Sequence, residues 1–197
     1  MNGEYWEERH QRYRGSWKAV GPGSRGRVVG HKVKMVNALI AEVGAKSLLD
    51  VGVGDGRVAR GFRVERLVGL DVSPTAVAAA AHLLGDRPGW NMGVLGECVP
   101  PACDVAVSLD VVFHCIKNPA YVAHLDLLFG SARLAVGIYS TDHDAPTHLH
   151  VRHRLVSRDV ARLFPGWSLT LKTLPPWPQE KFARRWSNSS WMVWVPR

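Results

Sequence analysis

Three glycines alternate with other residues in Gly52-Val53-Gly54-Asp55-Gly56, directly after the apolar run Leu48-Leu49-Asp50-Val51. Glycine at such positions lets the backbone turn sharply and come close to a ligand, because a side chain would occupy the ligand's space. Asp50 precedes the turn and can accept hydrogen bonds from it or face a cationic amine. About twenty residues further on, Asp71 ends a second apolar run, where a carboxylate can hold both hydroxyls of a ribose. A glycine turn and a ribose-binding acid at this spacing suit a cofactor that carries a nucleoside.

The turn itself separates the candidate cofactors. A dinucleotide fingerprint, G-x-G-x-x-G, uses its last glycine to pack a helix under a pyrophosphate. Here the run is Gly52-Val53-Gly54-Asp55-Gly56-Arg57, and Asp55 would face a diphosphate unfavourably. A cofactor without phosphate and with cationic groups tolerates a turn flanked by Asp50 and Asp55.

Two further groups can do chemistry. His114 follows the apolar run Val105 to Leu109, and an imidazole with an ordinary pKa near 6.5 suits proton removal; its alternative role is structural, capping the strand end. Asp110 lies between them and suits positioning more than proton exchange. The stretch from Asp142 to His153 is rich in metal-ligand types, but its spacing fits no familiar metal site. An anion-binding or loop-ordering role for His150, Arg152 and His153 is the expectation, with Tyr139 at the end of the preceding strand as a further acceptor contact.

The elements that must position these residues alternate in kind. Apolar residues recur at threes and fours from Arg27 to Val43, a helical period stopped by Gly44. Ser47 to Val51 reads as a buried strand, Val58 to Phe62 as a short helical piece, and Arg66 to Val72 as a second strand. Ser73 and Pro74 open an alanine-rich helix to about Leu84, as N-cap and first helical residue. Val105 to Leu109 and Arg133 to Tyr139 are strands flanking a helix over Ala120 to Phe129. A helix over Val156 to Phe164 precedes strands at Leu169 to Leu174 and Trp191 to Val195. The order predicts an α/β fold: a Rossmann-like, mostly parallel sheet of the seven-stranded type, with helices on both faces and an antiparallel edge strand. Residues 1–197 read as one domain, with 1–30 as a mobile aromatic arm or lid bearing Tyr5, Trp6 and Tyr13, and with Arg25 and Lys32 nearby.

Composition is that of an ordinary globular chain, 46% hydrophobic and 21% charged. No run of about 18 apolar residues occurs and the first residues lack the apolar core of a secretory signal, so a cytoplasmic protein without a membrane partner is expected. Cys98, Cys103 and Cys115 are too few and irregular for a disulfide framework or a tetrahedral metal site. The formal net charge of +8, partly grouped with aromatics at Arg9 to Arg14 and Lys181 to Trp186, favours an anionic partner or a solvated basic surface.

The acid followed by G-x-G-x-G, and the strand-terminal acid in Gly69-Leu70-Asp71-Val72-Ser73, resemble the first two motifs of the class I S-adenosylmethionine-dependent methyltransferases. Asp104 to His114 looks like the family's fourth motif, and the two-strand ending matches as well. Tyr5 to Arg9, Ser108 to His114 and His150 to Arg154 look similar to a group of small bacterial and phage-type members. The resemblance implies S-adenosyl-L-methionine as cofactor, with Asp50, Gly52, Gly54 and Gly56 around its methionine part and Asp71 and Val72 at the ribose and adenine. Ser108, Leu109 and Asp110 would line the floor, Glu97 or Cys98 would approach the adenine amine, and Trp6 and Arg25 of the arm would close over it. The third motif departs from the family, since Gly93 to Cys98 is short and broken by glycine. An enzyme transferring a methyl to oxygen or nitrogen is therefore expected, acting on a small-molecule, sugar or anionic acceptor. Nucleic acid is the second choice, because Leu109-Asp110-Val111-Val112 lacks an Asn/Asp-Pro-Pro-Tyr pattern and Cys115 is not preceded by proline. The alternative from another class is a non-catalytic module that keeps the fold and binds through its basic surface.

Overall fold

The apolar run before the glycine turn forms β1 (Ser47–Val51), buried along its whole length. Leu48 points into one core and Leu49 into the other, so both faces of the strand demand apolar residues. The computed structural model describes residues 3–16, 18–174 and 188–197. Around β1 are arranged α1 (Gly3–Arg12), α2 (Arg27–Glu42), β2 (Arg66–Asp71), α3 (Pro74–Leu84), β3 (Trp90–Val94) and β4 (Cys103–Leu109). Then follow α4 (Asn118–Ser131), β5 (Ala132–Ser140), α5 (Val156–Leu163), β6 (Trp167–Lys172) and β7 (Ser190–Pro196).

The strands form one seven-stranded sheet in the order β3-β2-β1-β4-β5-β7-β6. The first five pair in parallel, and β7 runs antiparallel to both β5 and β6. This is the Rossmann-like, mostly parallel sheet that the sequence predicts, with the reversed strand inserted one position in from the edge. Helices α2 and α3 pack with Leu48, Leu67, Val105 and Val107 on one face. Helices α4 and α5 cover Leu49, Ala106, Val136 and Ile138 on the other. No helix among the described residues is long and apolar enough to cross a membrane.

Two segments differ from the expectation. Residues 90–94, not expected as a strand, form β3 at the other edge, paired in register with β2. Residues 3–12, expected as part of a mobile arm, form a helix docked on α3. The Glu7 carboxylate accepts from Ser73 Oγ at 2.5 Å, Thr75 Oγ1 at 2.6 Å and Thr75 N at 3.2 Å. Ser73 at the same time caps α3, its side chain accepting from Ala76 N at 3.0 Å. A carboxylate at a helix N-terminus is favoured by the exposed N–H groups there. Burial opposes its charge, but the hydrogen bonds from Ser73 and Thr75 outweigh it and hold Glu7 down at about 2. The basic segment Lys181 to Trp186 lies outside the described residues.

Candidate active site

In an open sheet of this kind a ligand binds beyond the carboxyl ends of the strands, where the order reverses. That point is between β1 and β4, and a cavity of about 420 Å³ opens there. The glycine turn forms its floor. Gly52 donates from its N–H to the Leu70 carbonyl at 2.7 Å and has φ 96°. A Cβ on Gly52 would collide with the Val111 side chain, whereas one on Gly54, at φ 58°, would stand in open space on the cavity side. The turn thus leaves its ligand face bare.

Asp71, at the end of β2, is held in place from both sides. Its carboxylate accepts from Gly54 N at 2.9 Å and from Ser73 N at 3.0 Å, while lining the cavity beside Val72. Burial raises its pKa, against the opposing pull of those N–H groups and of His10. A buried, pre-oriented carboxylate at this place is what two ribose hydroxyls need.

Behind the floor lies a network that the sequence only partly suggested. Lys32 of α2 is fully buried; its ammonium stands 2.8 Å from Asp110 Oδ2, donates to Gly23 O at 2.8 Å and lies over the Tyr139 ring. Asp110 has φ 64°, a left-handed backbone unusual for a residue other than glycine, and accepts from Ser189 Oγ at 2.6 Å. Asp50 is buried beneath the turn, and among the described residues its Oδ1 has no hydrogen-bond partner. Burial pushes the Asp50 carboxyl up to about 7, with Lys32 pulling the other way. Asp50 does not line the cavity, and a cationic group above the turn would favour its ionised form from a distance.

The opposite end of the cavity is walled by rings. His114 bonds through Nδ1 to the His150 carbonyl at 3.0 Å, which requires a proton on Nδ1 and leaves Nε2 as an acceptor. Its ring stacks on His150 at 5.2 Å and meets Trp6 edge-on at 4.9 Å. Burial drives the His114 pKa down to about 4, only partly offset by the bond to His150. The imidazole is neutral at physiological pH, so it accepts a hydrogen bond but is a weak base. Thr141 Oγ1 holds His153 Nδ1 at 2.7 Å across the same wall.

Of the residues singled out in the sequence, Trp6, Gly52, Gly54, Asp71, Val72, Leu109, Asp110, His114, His150 and His153 meet at this cavity. The others stand away from it. Gly56 packs against Ala80 and Leu84 of α3. Arg25 donates to the Val20 carbonyl, and Glu97 is exposed beyond β3. Ser108, expected on the floor, points to the α4 side and bonds His124 Nε2 at 2.9 Å, since successive strand residues alternate faces. Tyr139 is completely buried beneath Lys32. Arg152 binds the Ile116 carbonyl and Asn118, and so braces the loop. Among the described residues, no group of three or more His, Cys, Asp or Glu could hold a metal ion. His10, Phe113 and Ser189 line the cavity without having been singled out; for His10, its place four residues after Trp6 on one helix face was the available signal.

Residues 49–125, which hold the glycine turn, Asp71 and His114, match the family model of a methyltransferase domain. The sheet that carries this stretch has the Rossmann-like fold of the class I methyltransferases. The chain's fold is similar to that of magnesium protoporphyrin IX methyltransferase (ChlM) from Synechocystis PCC 6803, solved with bound SAH, at a TM-score of 0.69 and 17% identity over 98% of this chain and 97% of that one. The N-methyltransferase NodS from Bradyrhizobium japonicum WM9 superposes with a TM-score of 0.66 and 12% identity, covering 87% of this chain and 95% of that one. The methyltransferase domain of bacterial CtHen1 gives 0.62 and 18%, over 85% and 98%. A search of curated proteins finds no sequence match. Neighbours of this fold are solved with SAM and with SAH, and the open space at Gly54 and the oriented Asp71 fit S-adenosylmethionine.

Proposed function

We propose that the protein transfers a methyl group from S-adenosylmethionine to an oxygen or nitrogen nucleophile of a small-molecule acceptor. The observation that carries this reading is the Asp71 carboxylate, buried yet lining a cavity whose far end presents His114. When bound, the cofactor supplies an electrophilic methyl on a sulfonium, with a neutral thioether as leaving group. Asp71 and Val72 would hold its ribose and adenine, and the Gly52–Gly54 turn with Asp50 behind it would receive the methionine part.

The chain's own contribution is mainly alignment, which suits a displacement with a good leaving group. His114 Nε2 accepts the hydrogen of the acceptor's O–H or N–H and so aims a lone pair at the methyl; the proton released as the new bond forms leaves to solvent, since the buried imidazole is a weak base. Asp110, fixed by Lys32 and Ser189, positions the acceptor from the other side. Trp6 and His10 of α1 roof the cavity and limit water. One neighbour is named for magnesium protoporphyrin IX and another as an N-methyltransferase, so the shared fold does not select an acceptor. A cavity of about 420 Å³ is near the low end of ligand sites, roughly 300–1,000 Å³, and favours a compact acceptor over a nucleic-acid strand.

Incubation with methyl-labelled cofactor and a cell extract, then separation into nucleic acid, protein and small molecules, tests the proposal. Label in the small-molecule fraction is expected. Label confined to nucleic acid, or none at all, contradicts it.

A further inference from the structure

The acceptor end of the cavity is built from rings supplied by three separate elements. Tyr5 of α1 stacks on His150 at 4.5 Å and 18°, and His150 stacks on His114 at 5.2 Å and 16°. Phe113 meets His114 edge-on at 4.6 Å and reaches His153 at 5.8 Å, and His153 stacks on His143 at 5.1 Å. All but Tyr5 line the cavity, and Tyr5 backs the stack. His150 and His114 also pack against Tyr5 and Trp6 of α1, but all five rings border the cavity, which core packing alone would not require.

Charge is distributed in the opposite sense to the chain as a whole. The sequence carries a formal +8, yet no Lys or Arg lines this cavity among the described residues, while Asp71 and Asp110 do. The nearest ammonium, Lys32, is committed to Asp110 and to the Gly23 carbonyl. Arg9 is turned to the Ala19 carbonyl and the Tyr5 hydroxyl, and Arg152 to Ile116 and Asn118. Burial lowers the pKa of His150 and His153 as well as that of His114, so these imidazoles offer faces and lone pairs and not positive charge.

Building on the methyl-transfer reading, we infer that the wall selects a flat aromatic acceptor whose nucleophile is an uncharged O–H or N–H, and that it rejects phosphate- and carboxylate-bearing compounds. A planar ring gains offset-stacked or edge contacts with Phe113 and the His150–His114 pair. Among the described residues, an anion would give up its hydration beside Asp71 and Asp110 with no lining Lys or Arg to receive it. This reading departs from the anionic acceptor that the net charge suggests.

Calorimetric titration of the full chain, first with adenosylhomocysteine and then, on that complex, with 2-naphthol, 1-naphthyl phosphate and cyclohexanol, tests the inference. We expect 2-naphthol to bind at least about tenfold more tightly than either of the others, each tenfold being about 1.4 kcal/mol. We also expect Phe113→Ala to weaken 2-naphthol about tenfold more than it weakens adenosylhomocysteine, with Phe113→Tyr restoring the difference. Equal or tighter binding of the phosphate, or no preference for the ring, overturns the inference while leaving the methyl-transfer reading intact. Failure of adenosylhomocysteine to bind removes both.

Discussion

The ammonium of Lys32 and the carboxylate of Asp110 lie 2.8 Å apart, with their side chains 1% and 13% exposed, and join α2 to the residue that follows β4. Removing one partner of a buried pair leaves the other charge without compensation, which costs about 3–5 kcal/mol. Lys32→Met should therefore lower the unfolding free energy by about that amount in a urea titration. The double variant Lys32→Met/Asp110→Asn should recover most of the loss. A single variant within about 1 kcal/mol of the parent would show that the pair does not hold this corner of the site.

His114 provides a pH test. Its folded pKa of about 4 lies below the unfolded value near 6.5, so between these values the unfolded chain binds more protons. The stability due to neutral His114 is complete above pH 6.5 and is lost as pH falls through about 4. The stability difference between the parent and His114→Asn should shrink over that window, by up to about 3 kcal/mol. The His114 ring signals in an NMR titration should move near pH 4; a midpoint near 6.5 would contradict the buried, neutral imidazole.

Asp50 predicts a proton linked to cofactor binding. Its carboxyl, raised to about 7, is partly protonated at neutral pH, and a cationic ligand favours the ionised form. Adenosylmethionine should bind more tightly as pH rises from 6 to 8 and release a proton on binding near pH 7. Calorimetry in buffers of different ionisation enthalpy measures that proton. Asp50→Asn should abolish the release, and an unchanged release in that variant would place the proton elsewhere.

The parts of this fold that were legible in the sequence are those where one local rule acts alone. β1 reads as an apolar run because both its faces are buried, and Ser73-Pro74 announces α3 because the cap chemistry is local. Gly44, at φ 63°, ends α2 as a glycine should. β3 was not legible: it is an edge strand, mostly half-buried, and is interrupted by Gly93 next to its last residue. The docking of α1 was hidden because its anchor, Glu7, bonds residues 66 and 68 positions away. Within the site, Gly52, Gly54 and Asp71 could be found from spacing. Lys32 could not, since a lysine inside a helical pattern normally marks the solvent side, and only the tertiary approach of Asp110 and Gly23 allows its burial. Ser108 was misplaced because a strand residue's face depends on register, which spacing does not reveal.

The central claim is that Asp71 anchors the nucleoside of the cofactor. Isothermal titration with adenosylhomocysteine, comparing the parent chain with Asp71→Ala and checking the variant's fold by circular dichroism, tests it most directly. Loss of a charged hydrogen-bond acceptor predicts a weakening of about 10- to 100-fold, corresponding to about 1.5–3 kcal/mol. An Asp71→Ala chain that remains folded and binds adenosylhomocysteine as tightly as the parent would contradict the account.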